Sequence, residues 1–246
     1  KKYNPALDLP LKIYHRGDLC AVSMKKIESV YSHVTFEHVT DDLYTQQDSQ
    51  YMCLLPFKEN RVSQVIFIDC DILCLGNMDG LLDVTADFAA VIDYEIRFPK
   101  QKMQSVPRLL SALPYFNTGV FSVRGDLLSG DFYQKLRSKV EKYAALRTRG
   151  KKKLWDQDII NDTLKNTRVQ ILPFTYNARK NLYKKQQCPI KDKTIFLHYT
   201  GGAKPWYTEG SGFLPLQGKY ARYQHIHELW HQHHEEFQQK HGYAVF

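Results

Sequence analysis

The chain has 246 residues, 43% of them apolar, with a formal charge of +8. That apolar content excludes a disordered chain and suffices for one large domain or two small ones. No run approaches 18 consecutive apolar residues and KKYNPALDLP lacks the apolar stretch of a leader, so neither a membrane span nor a signal peptide is expected.

In chain order, LKIYH (11–15) predicts a short strand. Met24, Ile27 and Val30 share one side of a predicted helix over 21–31. HVTFEHV (33–39) alternates like a strand, and SQYMCLLPF (49–57) predicts a helix ended by Pro56. QVIFID (64–69) is a continuous apolar run, as in the interior of a parallel sheet; FAAVID (88–93) and TGVFSV (118–123) are two more. Phe132, Leu136, Val140 and Ala144 repeat every four residues in the clearest helix, 130–149. DQDIINDTLKN (156–166) predicts another helix, TIFLHYT (194–200) a late strand, and the chain from Lys219 a His- and Gln-rich helical tail. Strands alternating with helices predict an α/β fold with a mostly parallel sheet flanked by helices. With no linker visible, one domain over 1–218 and a tail over 219–246 are expected.

Charge and thiols narrow the chemistry only in part. A basic surface suits nucleic acid, anionic lipid or phosphorylated small molecules. The five cysteines, Cys20, Cys53, Cys70, Cys74 and Cys188, are odd in number, and two fall in the strand-like run. That favours free thiols in a reducing compartment.

The stretch VIFIDCDILCLG (65–76) sets Asp69 and Asp71 at the end of an apolar strand. Residues at i and i+2 share a face, so both carboxylates could reach one cation. Three readings are open: two solvated acids at a loop start, a haloacid dehalogenase-type phosphatase, or a metal clamp for a nucleotide diphosphate. The phosphatase pattern wants Thr or Val four residues after its first Asp, where this chain has Leu73. Hard divalent cations take oxygen ligands and fill their shell with substrate phosphates.

TIFLHYTGGAKPW (194–206) tips the balance toward the clamp. His198 ends an apolar run, Gly201 and Gly202 allow close backbone approach, and Lys204 offers a point charge for phosphate. Trp206 walls a sugar ring or anchors the turn. Taken singly, His198 reads as a core histidine and Gly-Gly as a turn; together they describe a pyrophosphate cradle with an imidazole beside a metal. Imidazole tilts the metal toward Mn²⁺ over Mg²⁺.

Four blocks in order carry a resemblance to glycosyltransferase family 8, the retaining sugar-nucleotide transferases of the GT-A (Rossmann-like) fold. FIDCDILCLGNMDGLL resembles the family's metal-binding D-x-D block, PYFNTGVFSV its F-N-[AST]-G-V strand, WDQDIIN its D-Q-D helix start and LHYTGGAKPW its H-Y-x-G-x-x-K-P-W signature. The likeness covers roughly 11 to 207 and is closest to bacterial enzymes that extend lipopolysaccharide with galactose or glucose. It implies that Asp69, Asp71 and His198 hold Mn²⁺ or Mg²⁺ against a UDP-sugar diphosphate, with Gly201, Gly202, Lys204 and Trp206 on the donor. It implies that Asp93 touches donor sugar or acceptor, that Asn117 and Asp156 bind donor-sugar hydroxyls, and that Gln157 lies near the anomeric carbon. By their residue types alone, Asn117 reads as a strand-end turn and Asp156 as a helix N-cap. Retention by front-face attack, with the leaving phosphate taking the acceptor proton, is the family expectation. A catalytically inactive sugar-nucleotide or glycan-binding protein of the same fold is the alternative.

Two departures stand out. The family's first strand, ending in a motif like A-x-D-x-N-Y, has no counterpart before KKYNPALDLPLKIYH; either the sequence is an incomplete record of a longer chain, the preferred reading, or the protein binds nucleotide differently. The family's Arg in a context like Y-x-R-L is also missing from QYMCLL (50–55).

Outside the blocks, RTRGKKK (147–153) is either a solvated loop or a contact for anionic lipid or a phosphorylated acceptor. YNARKNLYKK (176–185) is expected in the acceptor region. No nucleic-acid-binding motif accompanies the charge, so nucleic acid is not expected as a partner. HELWH (227–231) matches the H-E-x-x-H pattern literally, but Ile226, Leu229 and Trp230 mark a packing face and no third ligand follows. The expected setting is cytoplasmic, with a lipid-linked glycan acceptor on the inner membrane face. Lys151, Lys152, Lys153, Arg147 and Arg149 would meet anionic lipid there, and Tyr223, Ile226, Trp230 and Phe237 form an apolar face that either meets the membrane or packs on the domain.

Overall fold

The computed structural model describes residues 2–45, 49–93, 115–147, 156–164, 167–183, 193–207 and 223–242. In chain order the elements are β1 (Leu11–His15), α1 (Ala21–Val30), β2 (Val34–His38), α2 (Asp42–Thr45), a 3-10 helix (Ser49–Lys58), β3 (Gln64–Ile68), β4 (Ile72–Cys74), α3 (Asp79–Leu82), β5 (Phe88–Ile92) and β6 (Phe116–Arg124). They continue with α4 (Gly130–Arg147), α5 (Asp156–Thr163), β7 (Val169–Leu172), β8 (Ala178–Arg179), β9 (Phe196–His198) and α6 (Gln224–His241). The chain forms two compact units. The larger holds Ala6–Asp69 and Asp79–Pro173, the smaller Lys1–Pro5, Cys70–Met78 and Phe174–Phe246.

In the larger unit, β1 and β2 pair in parallel, and a second sheet runs in the order β3-β6-β5-β7. Its core is aromatic: Phe121 lies 5.5 Å from Phe57 and 5.4 Å from Phe88, ring centre to ring centre. The four-residue repeat of α4 lays buried Phe132, Leu136 and Val140 against that core, and α5 adds Ile159 and Ile160. Each such side chain contributes about 1.5–3 kcal/mol by leaving water, enough to hold the helix against the 3-10 segment and β6.

Three expectations change. The sheet is mixed rather than mostly parallel, because β6 runs antiparallel to both β3 and β5, and only β5 and β7 are parallel within it. Secondly, the apolar run before Asp69 is not interior. Among the described residues β3 pairs only with β6, its side chains are half-buried and Ile68 is exposed. An apolar run records contact area, and neither strand direction nor number of neighbours is written in it. Thirdly, the stretch around Pro56 does not stop there; it is a 3-10 helix that carries Pro56 inside and runs to Lys58.

The smaller unit is built on the order β4-β9-β8, with β4 antiparallel and β8 parallel to β9. Helix α6 closes it. Ile226 is fully buried with Tyr183, Leu197 and Tyr199, and Leu229 and Trp230 pack alongside. The Tyr199 hydroxyl donates to the carbonyl of Ile226 at 2.8 Å. The apolar tail residues Tyr223, Ile226 and Trp230 therefore serve this core, while Phe237 remains exposed. Asn4 fastens the chain after β4, donating to the Gly76 carbonyl at 3.1 Å and accepting from the Met78 N–H at 2.9 Å.

Candidate functional site

In the smaller unit the pairing of β4 with β9 sets Ile72 opposite His198, and the Tyr199 N–H donates to the Asp71 carbonyl at 2.9 Å. That register delivers the second acid of the D-x-D to the imidazole. His198 Nε2 lies 3.0 Å from Asp71 Oδ1. Its Nδ1 lies 2.8 Å from Asn177 Oδ1, just before β8. With the Nδ1–H directed at Asn177, Nε2 faces the Asp71 carboxylate oxygen. Two electron-rich atoms at that distance call for a cation, either a proton or a metal ion.

The Lys204 ammonium pairs with Asp71 and also donates to the Tyr199 carbonyl. Burial acts to raise the Asp71 pKa, but hydrogen bonding and charge from His198 and Lys204 prevail and lower it to about 2. Asp69 is joined to this unit through the Cys70 peptide. One ligand atom each from Asp69, Asp71 and His198 lies within 4.8 Å of the others, the sole such acid, thiol and imidazole group among the described residues. Two carboxylates and an imidazole fit a hard or borderline divalent cation.

The loop after β9 is held from below. Gly201 has φ +77, a conformation that L side chains rarely adopt, and a Cβ there would meet nothing within 4 Å. Gly202 is exposed beside it. Trp206 is half-exposed and packs 5.8 Å from Trp230 and 6.3 Å from Tyr199. Lys180, only 2% exposed, donates to the Ala203 carbonyl and stands 5.1 Å from the Tyr223 ring. Burial, and then the neighbouring Lys204, push its pKa down to about 8. Arg179 is buried as well. The cations of YNARKNLYKK at these two positions are thus buried rather than surface charges, and Lys180 supports the loop. Nothing local in the sequence distinguishes Asn177 or Lys180; only the β8–β9 pairing brings them here.

The larger unit collects the other expected residues around the start of α5. Gln157 donates from Nε2 to Asp93 Oδ2 at 2.9 Å, and its Oε1 accepts from Asn117 Nδ2 at 3.0 Å. Asn117 Oδ1 accepts from the Gly119 N–H at 3.0 Å, which fixes the strand bend. Asp156 Oδ2 accepts from Thr118 Oγ1 at 3.2 Å and from the Cys53 thiol at 3.3 Å. Burial raises the Asp156 pKa, partly offset by these donors and by the Gln157 N–H. Burial also holds the Cys53 thiol well above its ordinary range. Asn161 locks α5 to β6, accepting from the Phe116 N–H at 2.7 Å and donating to the Phe116 carbonyl at 2.9 Å. Asp93, Asn117, Asp156 and Gln157 therefore form one hydrogen-bonded set. Thr118, Asn161 and Cys53 are members that sequence reasoning did not single out. The family-like stretch QYMCLL, where an Arg was missing, was the one signal pointing to Cys53.

HELWH belongs to no three-ligand group among the described residues. His227 is buried among Tyr199 and Tyr223. The basic residues Arg149, Lys151, Lys152 and Lys153 lie outside the described residues, as does the Arg147 side chain. No helix among the described residues is long and apolar enough to cross a membrane.

A family model described as glycosyl transferase family 8 matches residues 21–210. A lipopolysaccharide 1,2-glucosyltransferase of Escherichia coli is 30% identical over 175 residues, covering 65% of this chain and 50% of that protein. A lipopolysaccharide 1,3-galactosyltransferase of Salmonella typhimurium is 26% identical over 162 residues, covering 62% and 47%. The chain thus spans about half the length of these curated relatives. The galactosyltransferase LgtC, solved with donor and acceptor sugar analogues, superposes with a TM-score of 0.66 at 17% identity, over 89% of this chain and 87% of its own. The bifunctional glycosyltransferase WbbM gives 0.59 at 20% identity, over 84% and 48%. These likenesses show the α/β GT-A fold.

Proposed function

Since the chain belongs to glycosyl transferase family 8, we propose that it is a metal-dependent retaining hexosyltransferase, moving galactose or glucose from a UDP-sugar to a bacterial surface glycan such as lipopolysaccharide. The observation that carries the proposal is the set of Asp69, Asp71 and His198 with Lys204 on the same carboxylate. Asp69, Asp71 and His198 would hold Mn²⁺ or Mg²⁺, and a bound cation of this kind neutralises a diphosphate and its departing charge. Asn177 orients the imidazole. Lys204 adds a positive charge for the leaving UDP, and Gly201 and Gly202 leave its backbone path open. In the other unit, Asn117 would hydrogen-bond sugar hydroxyls and Asp156 would accept from them. The Gln157 amide, tethered by Asn117 and Asp93, would steady the oxocarbenium-like anomeric carbon. Asp93 would contact sugar or acceptor. The named relatives act on lipopolysaccharide by name, which supports a lipid-linked acceptor and a cytoplasmic or peripheral inner-membrane setting.

Incubation with Mn²⁺ and UDP-galactose or UDP-glucose is expected to release UDP slowly without acceptor, and Asp71→Asn is expected to abolish that release. Equal turnover by both proteins would overturn the metal-clamp reading. UDP binding by calorimetry without any hydrolysis or transfer would instead identify an inactive sugar-nucleotide-binding protein.

A further inference from the structure

Among the described residues, the carboxyl group of Asp156 is held by neutral donors. Its Oδ2 accepts from the Cys53 thiol at 3.3 Å and the Thr118 hydroxyl at 3.2 Å, and the Gln157 backbone N–H is a further donor. All three donors are neutral. Cys53 is 4% exposed, too deep to ionise readily. No Lys, Arg or His of the described residues hydrogen-bonds Asp156. Among the described residues its hydrogen-bond donors are thus dipoles rather than charges, in a buried setting where an added like charge is costly.

We infer that Cys53 is a positioning residue that acts through Asp156, and that Cys53, Thr118 and Asp156 together make the sugar seat select a neutral hexose against a hexuronic acid. The inference rests on the proposed contact of Asp156 with donor-sugar hydroxyls. Hydroxyl groups can donate to the carboxylate and complete its shell. A sugar carboxylate brings a second negative charge and no proton to share. Specificity of this kind comes from a repulsive element as much as from attraction. The thiol's part is geometric: a short neutral donor holds Oδ2 in place without neutralising it, as a guanidinium would.

The test compares donor hydrolysis for matched pairs, UDP-glucose with UDP-glucuronic acid and UDP-galactose with UDP-galacturonic acid. The wild type is expected to favour the neutral member by roughly a hundredfold or more in kcat/KM. Asp156→Asn, which removes the charge and keeps the acceptor oxygen, should lower both rates yet shrink that ratio by about tenfold or more. Cys53→Ala should lower kcat/KM for the neutral donor about tenfold while Cys53→Ser restores it, and neither should shift the ratio much. An Asp156→Asn protein with an unchanged ratio, or a wild type indifferent to the sugar's charge, overturns the selection. Equal activity in Cys53→Ala and Cys53→Ser overturns the positioning role. Wild type that hydrolyses none of the four donors overturns the proposed function itself, and this inference with it.

Discussion

His198 presents Nε2 to Asp71 Oδ1 at 3.0 Å while its other ring nitrogen is held by Asn177 at 2.8 Å. A ligand oriented in this way loses metal affinity when its supporting partner goes, by about 10- to 100-fold. Asn177→Leu is therefore expected to weaken Mn²⁺ binding by that factor, read by calorimetry on the otherwise folded protein. Binding unchanged in the variant would detach Asn177 from the metal set.

Lys180 predicts a pH dependence of stability. Its pKa falls from 10.5 to about 8 because burial and Lys204 disfavour the charged form. Below pH 8 that penalty is present in full. Between pH 8 and 10.5 the unfolded chain binds more protons at this position than the folded one, so stability rises with pH across that window. The gain over that window is on the order of 3 kcal/mol. Lys180→Met should flatten the rise in urea-melt midpoints between pH 8 and 10 relative to wild type. A parallel pH dependence in the two proteins would count against the buried ammonium.

Asp156 is expected to lower stability where it is ionised. Its folded pKa is raised, chiefly by burial, so stability falls as pH rises from about 3.8 through the folded value. Asp156→Asn should then be more stable than wild type at pH 7, by about 1 kcal/mol, and the difference should vanish below pH 4. Such a gain, paired with slowed donor hydrolysis, is the mark of a residue kept for function. A destabilised Asp156→Asn protein at pH 7 would contradict it.

The tail helix is expected to be structural at Ile226. That side chain is fully buried with Tyr199 and Leu197. Ile226→Ala should cost about 2–5 kcal/mol, measured by denaturant unfolding, with no selective loss of vesicle binding. A stable variant that no longer sediments with vesicles would place this face on the membrane instead.

Binding to anionic vesicles is expected to weaken with salt, since exposed charge is screened over about 8 Å at physiological ionic strength. Replacing Lys151, Lys152 and Lys153 with Ser should weaken it further and leave UDP binding intact. Sedimentation indifferent to both salt and substitution would remove the electrostatic contact, and loss of UDP binding would assign the loop to the donor.

The amino-acid sequence by itself determined the local elements and the chemistry they carry. The four-residue apolar repeat of α4, the strands ending at Asp69 and His198, and the Asp-Gln-Asp start of α5 follow from periodicity and residue type, which act over one or two turns of chain. Tertiary structure decided strand direction, the edge position of β3 among the described residues, and the partners of each functional group. Asn177 on His198, Lys180 beneath Ala203 and Cys53 on Asp156 each join residues 21 or more positions apart. A side chain's spacing along the chain encodes which face is buried. Which distant donor meets it there is set by register and packing between elements, and those contacts leave no periodic trace.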